Sequence, residues 1–539
     1  MTEVKVALVA PPYPLEEAPS PPLGICYIAS SLEAMGAEVI LIDYIVSRYS
    51  REKLTKELES FRPDIVGVTS VTMNFPQAVD IVKTTKAYDP SIITMMGGPH
   101  VSFDAMSTLI KYPEIDIIVM GEGERTVMEL MQCIREKDSW NKVDGIAFKK
   151  DGQVVITRPR ELIRDLDSLP MPDRDILPVS RYLALGFPVS ITTSRGCPYQ
   201  CIFCVGRRMV GNRIRVRTAP HVADEIEQIL SYDFPRINIA DDLFTANRKW
   251  VTELCTEIKK RGLKFSWSAF ARVNTVDREL LETMREAGCD TVSFGIESGN
   301  PEMLKRIKKG ITLEHARKAV KACKEAGITA HASFIVGLPG ETRETLRETS
   351  EFAESLDIAY GYHFLAPFPG TTVRDEIDRF DLEILTDDWS RYDANSAIVR
   401  TSSLSPEEIN EFVAEFERKN QKEWEETEKR CSQDECGPDE YLRVEGYKKM
   451  QLVYRVLSED LIEGHSTFPM EEIQGQSPVK LLSQKIAGIT GMDQSTVERT
   501  VGLFVDNGYI RSRKAGNKLV WYWTHNKKSE SGPRSKAAC

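Results

Sequence analysis

No run of eighteen or more apolar residues occurs in the 539-residue sequence, so nothing in it reads as a membrane-spanning helix. The eleven cysteines are an odd number spread over a long chain, which argues against a disulfide framework and for a reducing cytoplasm. A cationic surplus is also missing: the net charge is −11, which argues against nucleic acid as the partner of the whole chain. Histidine is scarce, and His100 is the only one before residue 221. The N-terminal Met1-Thr-Glu-Val-Lys-Val-Ala-Leu-Val-Ala10 is a short strand-like run broken by charges and followed by prolines, so it does not read as a signal peptide. What is present, 41% apolar and 28% charged residues, is the composition of a soluble globular protein of about three domains.

Three of the cysteines stand together in Cys197-Pro-Tyr-Gln-Cys201-Ile-Phe-Cys204, directly after the apolar run Val189-Ser-Ile-Thr-Thr-Ser-Arg-Gly196. Thiolates this close on one loop can converge on one metal centre. Iron–sulfur clusters normally take four thiolates. With three, one iron lacks a protein ligand, and an open metal position is where a substrate or cofactor binds. A zinc site with a distant fourth ligand, or buried structural thiols, also fits the spacing.

Residues 1–157 alternate strands (Val4–Ala10, Glu38–Asp43, Asp64–Thr69, Ile92–Met96, Asp116–Met120) with helical patterns and end in a hairpin at Lys142–Ile156. Such alternation predicts a doubly wound parallel sheet, whose ligands sit at the carboxyl ends of its strands. Four loops there carry glycine or small residues: Ser20-Pro-Pro-Leu-Gly24, Thr69-Ser-Val71, Gly97-Gly-Pro-His100 and Gly121-Glu-Gly-Glu124. Glycine lets the backbone approach a large ligand, although the same residues would serve the turns of an ordinary flavodoxin-like domain. Residues 158–188 hold five prolines and many charges and read as an extended surface linker. Residues 189–400 repeat strand–helix units, with strands beginning near 189, 237, 264, 291, 329 and 359, which suits a six-unit partial (β/α)6 TIM-like barrel. Cys255, Cys289 and Cys323 fall in helical patterns and read as core; Cys431, Cys436 and Cys539 could form only a weak site.

Residues 401–470 are a charged helical extension. Residues 471–525 read as a winged helix, and 526–539 as a disordered tail. By count, 477–539 carry eleven Lys or Arg against four Asp or Glu, a net +7. A basic winged helix reads nucleic acid by default. Protein contact ranks above DNA here because the rest of the chain is acidic.

C-x-x-x-C-x-aromatic-C after a strand resembles the motif of the radical S-adenosylmethionine enzymes, with Cys197, Cys201, Phe203 and Cys204 at the matching places. The resemblance implies a [4Fe–4S] cluster on the three thiolates, with S-adenosylmethionine chelating the fourth iron and being cleaved by one electron to a 5′-deoxyadenosyl radical. In that family an acidic motif after the second strand holds the amino group, groups on strand four reach the ribose or carboxylate, and a glycine segment after strand five passes under the adenine. Those places fall to Asp241 or Asp242, Glu297, and Val336 with Gly337; Arg272 matches a family position on strand three. The four N-terminal loops are similar to the cobalamin-binding domain fused to many radical enzymes. The contacts this implies are Pro22, Leu23, Gly24, Thr69, Ser70, Val71, Gly97, Gly98, His100, Gly121, Glu122, Gly123 and Glu124. The D-x-H-x-x-G motif of the mutase type is absent, so no histidine of that motif supplies a lower cobalt ligand. Asp-Asp in place of G-G-E resembles the branch of anaerobic magnesium-protoporphyrin ester cyclases and carbon methyltransferases.

The expected activity is therefore radical C-methylation of an unactivated carbon in an anaerobic setting, on a small-molecule, lipid or peptide substrate, with an external electron donor. Oxidative cyclisation on the same cofactors is the alternative, and a redox-sensing DNA-binding regulator a second. Trp267, Phe270, Phe294, Phe364 and Phe368 are expected at the barrel mouth.

Overall fold

The structure is a computed structural model and describes residues 4–524 apart from Pro235 and Gln474; the expected tail at 526–539, with Cys539, lies outside the described residues. Five strands, β1 (Lys5–Ala10), β2 (Glu38–Asp43), β3 (Ile65–Thr69), β4 (Ile93–Gly97) and β5 (Ile117–Val119), pair in parallel. The hairpin β6 (Ile146–Lys150) and β7 (Gln153–Ile156) adds two antiparallel strands, in the order β2-β1-β3-β4-β5-β6-β7. Alternate side chains of β1 serve opposite faces. Val6 and Leu8 pack with Ile25, Leu32 and Leu130 on one side, while Ala7 and Val9 pack with Leu54, Leu58 and Ile81 on the other. A sheet buried on both faces needs near-continuous apolar strands, and Lys-Val-Ala-Leu-Val-Ala supplies one.

Residues 158–188 connect the two sheets but do not run over the surface as expected. Ile163, Leu166 and Leu169 form a small core of their own, and Leu177, Tyr182 and Leu185 join the main core. Val179–Leu185 is helical. The prolines do punctuate the chain, but the apolar residues between them are buried. Arg174 is 1% exposed and bonds the buried Glu225, which also pairs with Arg217.

Six further parallel strands follow: β8 (Val189–Ile191), β11 (Arg236–Ile239), β12 (Ser266–Ala271), β13 (Cys289–Glu297), β14 (Thr329–Val336) and β15 (Ala359–Phe364). Between β8 and β11, β9 (Ser194–Arg195) and β10 (Arg215–Val216) form a short antiparallel ribbon around the cysteine loop. The sheet order β15-β14-β13-β12-β11-β8 leaves β8 and β15 as free edges, as the expected partial barrel requires. Strand alternation divides the side chains between helix layer and lumen. On β12, Trp267, Ala269 and Ala271 are buried against the helices, and Phe270 faces the lumen at 49% exposure. Of the aromatics expected at the mouth, Trp267 and Phe294 therefore belong to the helix-facing core, and Phe364 packs with Val336 and Ile409 outside the barrel. Cys289 opens β13 rather than lying in a helix.

A short pair, β16 (Glu383–Ile384) and β17 (Val399–Arg400), precedes the long helices Pro406–Ser432 and Pro438–Ser458. The turn between these helices is closed by a Cys431–Cys436 disulfide, so these two cysteines do not form the weak metal site considered from the sequence. Helices Pro478–Thr490 and Gln494–Asp506, with the antiparallel strands β18 (Thr467–Pro469), β19 (Ile510–Ala515) and β20 (Lys518–Trp523), make the winged-helix shape. It is docked rather than free: its Val497, Phe504 and Trp523 belong to the same core as the barrel. Arg499 of its second helix pairs with Glu445 of the helix Pro438–Ser458. The solvent face of that second helix offers Ser495, Glu498, Leu503 and Asp506, while its exposed cation Arg499 is taken by Glu445, a poor surface for DNA. The regulator reading therefore finds no support. Among the described residues no helix is long and apolar enough to cross a membrane.

Candidate functional site

The cysteine loop begins at Gly196, whose φ of +109° and contact with Arg213 O admit no side chain: a Cβ there would lie 2.2 Å from that oxygen. Cys197 N then donates to Gly211 O at 3.1 Å, which closes the loop on itself. In its middle, Ile202 is buried and held from both sides, donating to Ile307 O (3.2 Å) and accepting from Val373 N (2.9 Å). This leaves Cys197, Cys201 and Cys204 as free thiols on one short loop, Cys204 exposed and the other two half-buried. Three soft thiol ligands on one pinned loop have the donor chemistry of an iron–sulfur cluster with one open iron.

Just past the second barrel strand lie Asp241 and Asp242, which the structure separates by role. Asp241 is interior; its carboxylate accepts from Thr193 N (2.6 Å) and from the hydroxyls of Thr193 and Ser194 (2.7 Å for Ser194). Burial pushes its carboxyl up to about 6. It fastens β11 to the start of the cysteine loop. Asp242 turns the other way, toward the thiols: its Oδ2 is 3.4 Å from Gly196 N, and its Oδ1 crowds Gly206, two residues past Cys204.

Glu297 ends β13 in a left-handed conformation (φ +75°) where the register with β14 shifts. Its carboxylate meets Lys309 Nζ at 2.7 Å, with both side chains under a tenth exposed. Lys309 also lies 5.8 Å from the centre of the Phe203 ring. Arg272, expected beside S-adenosylmethionine, sits under the cysteine loop with its guanidinium stacked 3.5 Å over the Tyr199 ring. Past β14, Gly337 N and Leu338 N donate to the fully buried Glu341 at 2.6 and 3.2 Å, and burial pushes that carboxyl up to about 8. Val336 points into the helix-side core, and its carbonyl accepts from Leu365 N. Sequence reasoning missed Lys309, Tyr199 and Glu341, because nothing in their local sequence shows what they face.

At the carboxyl ends of β1, β3, β4 and β5 lies a cleft lined by Gly24, Thr69, Gly97, Gly98, Gly121, Glu122, Gly123 and Glu124 over a floor of Leu8, Ile25, Ile28, Met95 and Val119. A Cβ at Gly24 or Gly121 would meet nothing within 4 Å, so side chains there would fill the cleft rather than the protein. Glycine rims over an apolar floor fit a large, flat cofactor. Four expected contacts lie off this lining: Pro22 and Leu23 begin the helix above it, Ser70 is fully buried, and Val71 sits beyond it. His100 is a fifth. It is 1% exposed, stacks on Phe75 at 4.1 Å, meets Trp389 edge-on, and lies 3.3 Å from Thr72 Oγ1. Burial lowers it to about 4, so the ring is neutral, and it faces the protein instead of the cleft. Glu122 and Glu124 line the cleft but are bound to arginines of the barrel: Glu122 with Arg195 (3.3 Å) and Arg215 (2.7 Å), Glu124 with Arg195. Arg195, Met209 and Val210, from either side of the cysteine loop, complete the same cleft.

Residues 191–353 match the Radical SAM superfamily and residues 17–131 match the B12 binding domain. An uncharacterized methyltransferase of Pyrococcus horikoshii is 36% identical over 424 residues, covering 77% of this chain and 91% of the relative. The anaerobic magnesium-protoporphyrin IX monomethyl ester cyclase of Rubrivivax gelatinosus is 33% identical over 380 residues, 67% of this chain and 68% of that one. Among solved structures, the cobalamin-dependent S-adenosylmethionine radical enzyme OxsB superposes with a TM-score of 0.66 at 19% identity, over 94% of this chain and 80% of that chain. At that identity the likeness establishes the fold. The two matched domains define the cofactors as a [4Fe–4S] cluster, S-adenosylmethionine and cobalamin. With both domains in one chain and close relatives along most of its length, the protein belongs to the cobalamin-binding radical S-adenosylmethionine enzymes.

Proposed function

We propose that the protein is a C-methyltransferase that methylates an unactivated carbon. One observation carries this reading: residues flanking the cysteine loop and glycines of the N-terminal sheet wall a single cleft, so the cluster and cobalamin would face one substrate. When bound, these cofactors supply a radical that removes hydrogen and a methyl group to replace it.

The chain's residues position them. Cys197, Cys201 and Cys204 hold the cluster. Asp242, free of the contacts that occupy Asp241, takes the ammonium of S-adenosylmethionine. Glu297 reaches the ribose, the Val336–Gly337 main chain passes the adenine, and Phe203 backs the loop. Gly24, Thr69, Gly97, Gly98 and the Gly121–Glu124 turn would form the cobalamin cradle, and His100 stays in the core. Phe270, exposed in the lumen, offers an apolar contact to a small-molecule, lipid or peptide substrate. The reduced thiols and the radical call for a reducing, oxygen-poor cytoplasm and an external electron donor. We divide the chain at 157, 188, 400, 470 and 525, and read the exposed Arg511, Arg513 and Lys514 of the wing as a protein-contact face.

Incubation with methyl-deuterated S-adenosylmethionine tests the reading: deuterated methyl in the product is expected, and product formed without label would reject it. Oxidative cyclisation would be the second reading in that event, supported by the 33% identity to a cyclase.

A further inference from the structure

Arg272 is a buried cation without a carboxylate partner. Only 7% of it is exposed, and among the described residues no Asp or Glu lies within ion-pair distance of it. Its neighbour Lys309 shows the ordinary solution, a carboxylate from Glu297 at 2.7 Å. Buried charges are paired or are very costly. The guanidinium is nonetheless held firmly. Nε donates to Asn274 Oδ1 at 3.3 Å, one Nη to the Lys309 carbonyl, and the plane lies on the Tyr199 ring. The remaining direction points to sulfur: Nη1 is 3.9 Å from Cys201 Sγ.

We infer that the counter-charge of Arg272 is the cluster itself, and that Arg272 is a positioning residue which sets the cluster's reduction potential. This rests on the proposed cluster site. Three thiolates on a doubly positive core leave one negative charge, and one electron from the external donor doubles it. A fixed cation beside one ligating sulfur stabilises the reduced form more than the oxidised form, by Coulomb attraction and by an N–H···S bond. Tyr199 lies between two of the cluster cysteines, so the stack that orients the guanidinium also ties it to the loop it serves. Arginine suits this task better than lysine, because its planar fork can stack and donate in several directions at once.

The test is an EPR-monitored redox titration of the anaerobically reconstituted full-length protein, compared with Arg272→Gln, Arg272→Lys and Tyr199→Leu. Arg272→Gln should lower the ratio of reduced to oxidised cluster at a fixed donor potential about tenfold, equal to about 59 mV for one electron. Arg272→Lys should restore most of that ratio, and Tyr199→Leu should fall between them with a broadened EPR signal. A Gln variant that holds iron and titrates with the parent overturns the inference. If the Gln variant loses its iron, the Lys variant decides: titration near the parent supports the inference, and a tenfold deficit with the charge retained overturns it. A parent protein that reconstitutes no cluster would instead reject the underlying site.

Discussion

The two cofactor regions of this chain are built from opposite materials. The N-terminal cleft is backbone and hydrocarbon: Gly24, Gly97, Gly98 and Gly121 around Leu8, Ile28 and Met95, with its two carboxylates turned to arginines of the barrel. The cluster face is charge: Asp242, Glu297, Lys309 and Arg272 around three thiols. A large cofactor with few charges is recognised by shape, and glycine is the residue that yields space. A small zwitterionic sulfonium beside an iron cluster is recognised by fixed charges, which act strongly in a site of low dielectric. Charged bridges join the two regions, Glu122 to Arg195 and Arg215 and Glu124 to Arg195, and Arg195 sits directly before Gly196 and Cys197.

Breaking that bridge is expected to have the largest effect. Arg195→Met would leave Glu124 buried without a cation, at a cost of about 3 kcal/mol in unfolding free energy by denaturant titration. A loss below about 1 kcal/mol would show that the Arg195 pairs do little to hold the two regions together. Filling the shape side comes next. Gly24→Phe, at a position with ordinary backbone geometry and open space, should lower cobalamin affinity at least tenfold, about 1.4 kcal/mol, and leave iron content unchanged. Loss of both cofactors together would erase the contrast between the regions. On the charge side, Asp242→Asn should weaken S-adenosylmethionine binding about tenfold in calorimetry, with little change in thermal stability, whereas Asp241→Asn should lower the melting temperature instead. Stability also varies with pH. The Glu341 carboxyl is raised from 4.5 to about 8, so the folded state keeps a proton that the unfolded chain loses. That stabilisation is full below about pH 4.5 and disappears as pH rises through about 8, with a slope of at most about 1.4 kcal/mol per unit. Glu341→Gln should flatten that slope, and an unchanged slope would place the titration elsewhere.

The same contrast explains what the sequence revealed. Parallel strands buried on both faces announce themselves as apolar runs, and the spacing of Cys197, Cys201 and Cys204 is local, so the sheet, the barrel and the cysteine loop were legible. Glycine-rich strand ends were legible too, as places of close approach. Partnerships across the fold were not. Adjacent Asp241 and Asp242 look alike in sequence, yet the loop after β11 sends one inward and one toward the thiols. Lys309 finds Glu297 only because the helix Pro301–Arg306 returns the chain to the end of β13. Trp267 and Phe270 both lie on one strand, and only the packing of helices outside the barrel shows that Phe270 is the one facing the lumen. His100 follows two glycines as a ligand might, but Phe75 and Trp389 enclose it.

The central claim is that one loop of three thiols grips a cluster beside a separate cobalamin cradle. Iron and cobalamin content, with EPR of the reduced protein, should be measured anaerobically for the parent and for the Cys197→Ala/Cys201→Ala/Cys204→Ala variant reconstituted with both cofactors. The account predicts a variant that has lost iron, the reduced-cluster signal and 5′-deoxyadenosine formation while keeping cobalamin; iron and reductive cleavage surviving in that variant would contradict it.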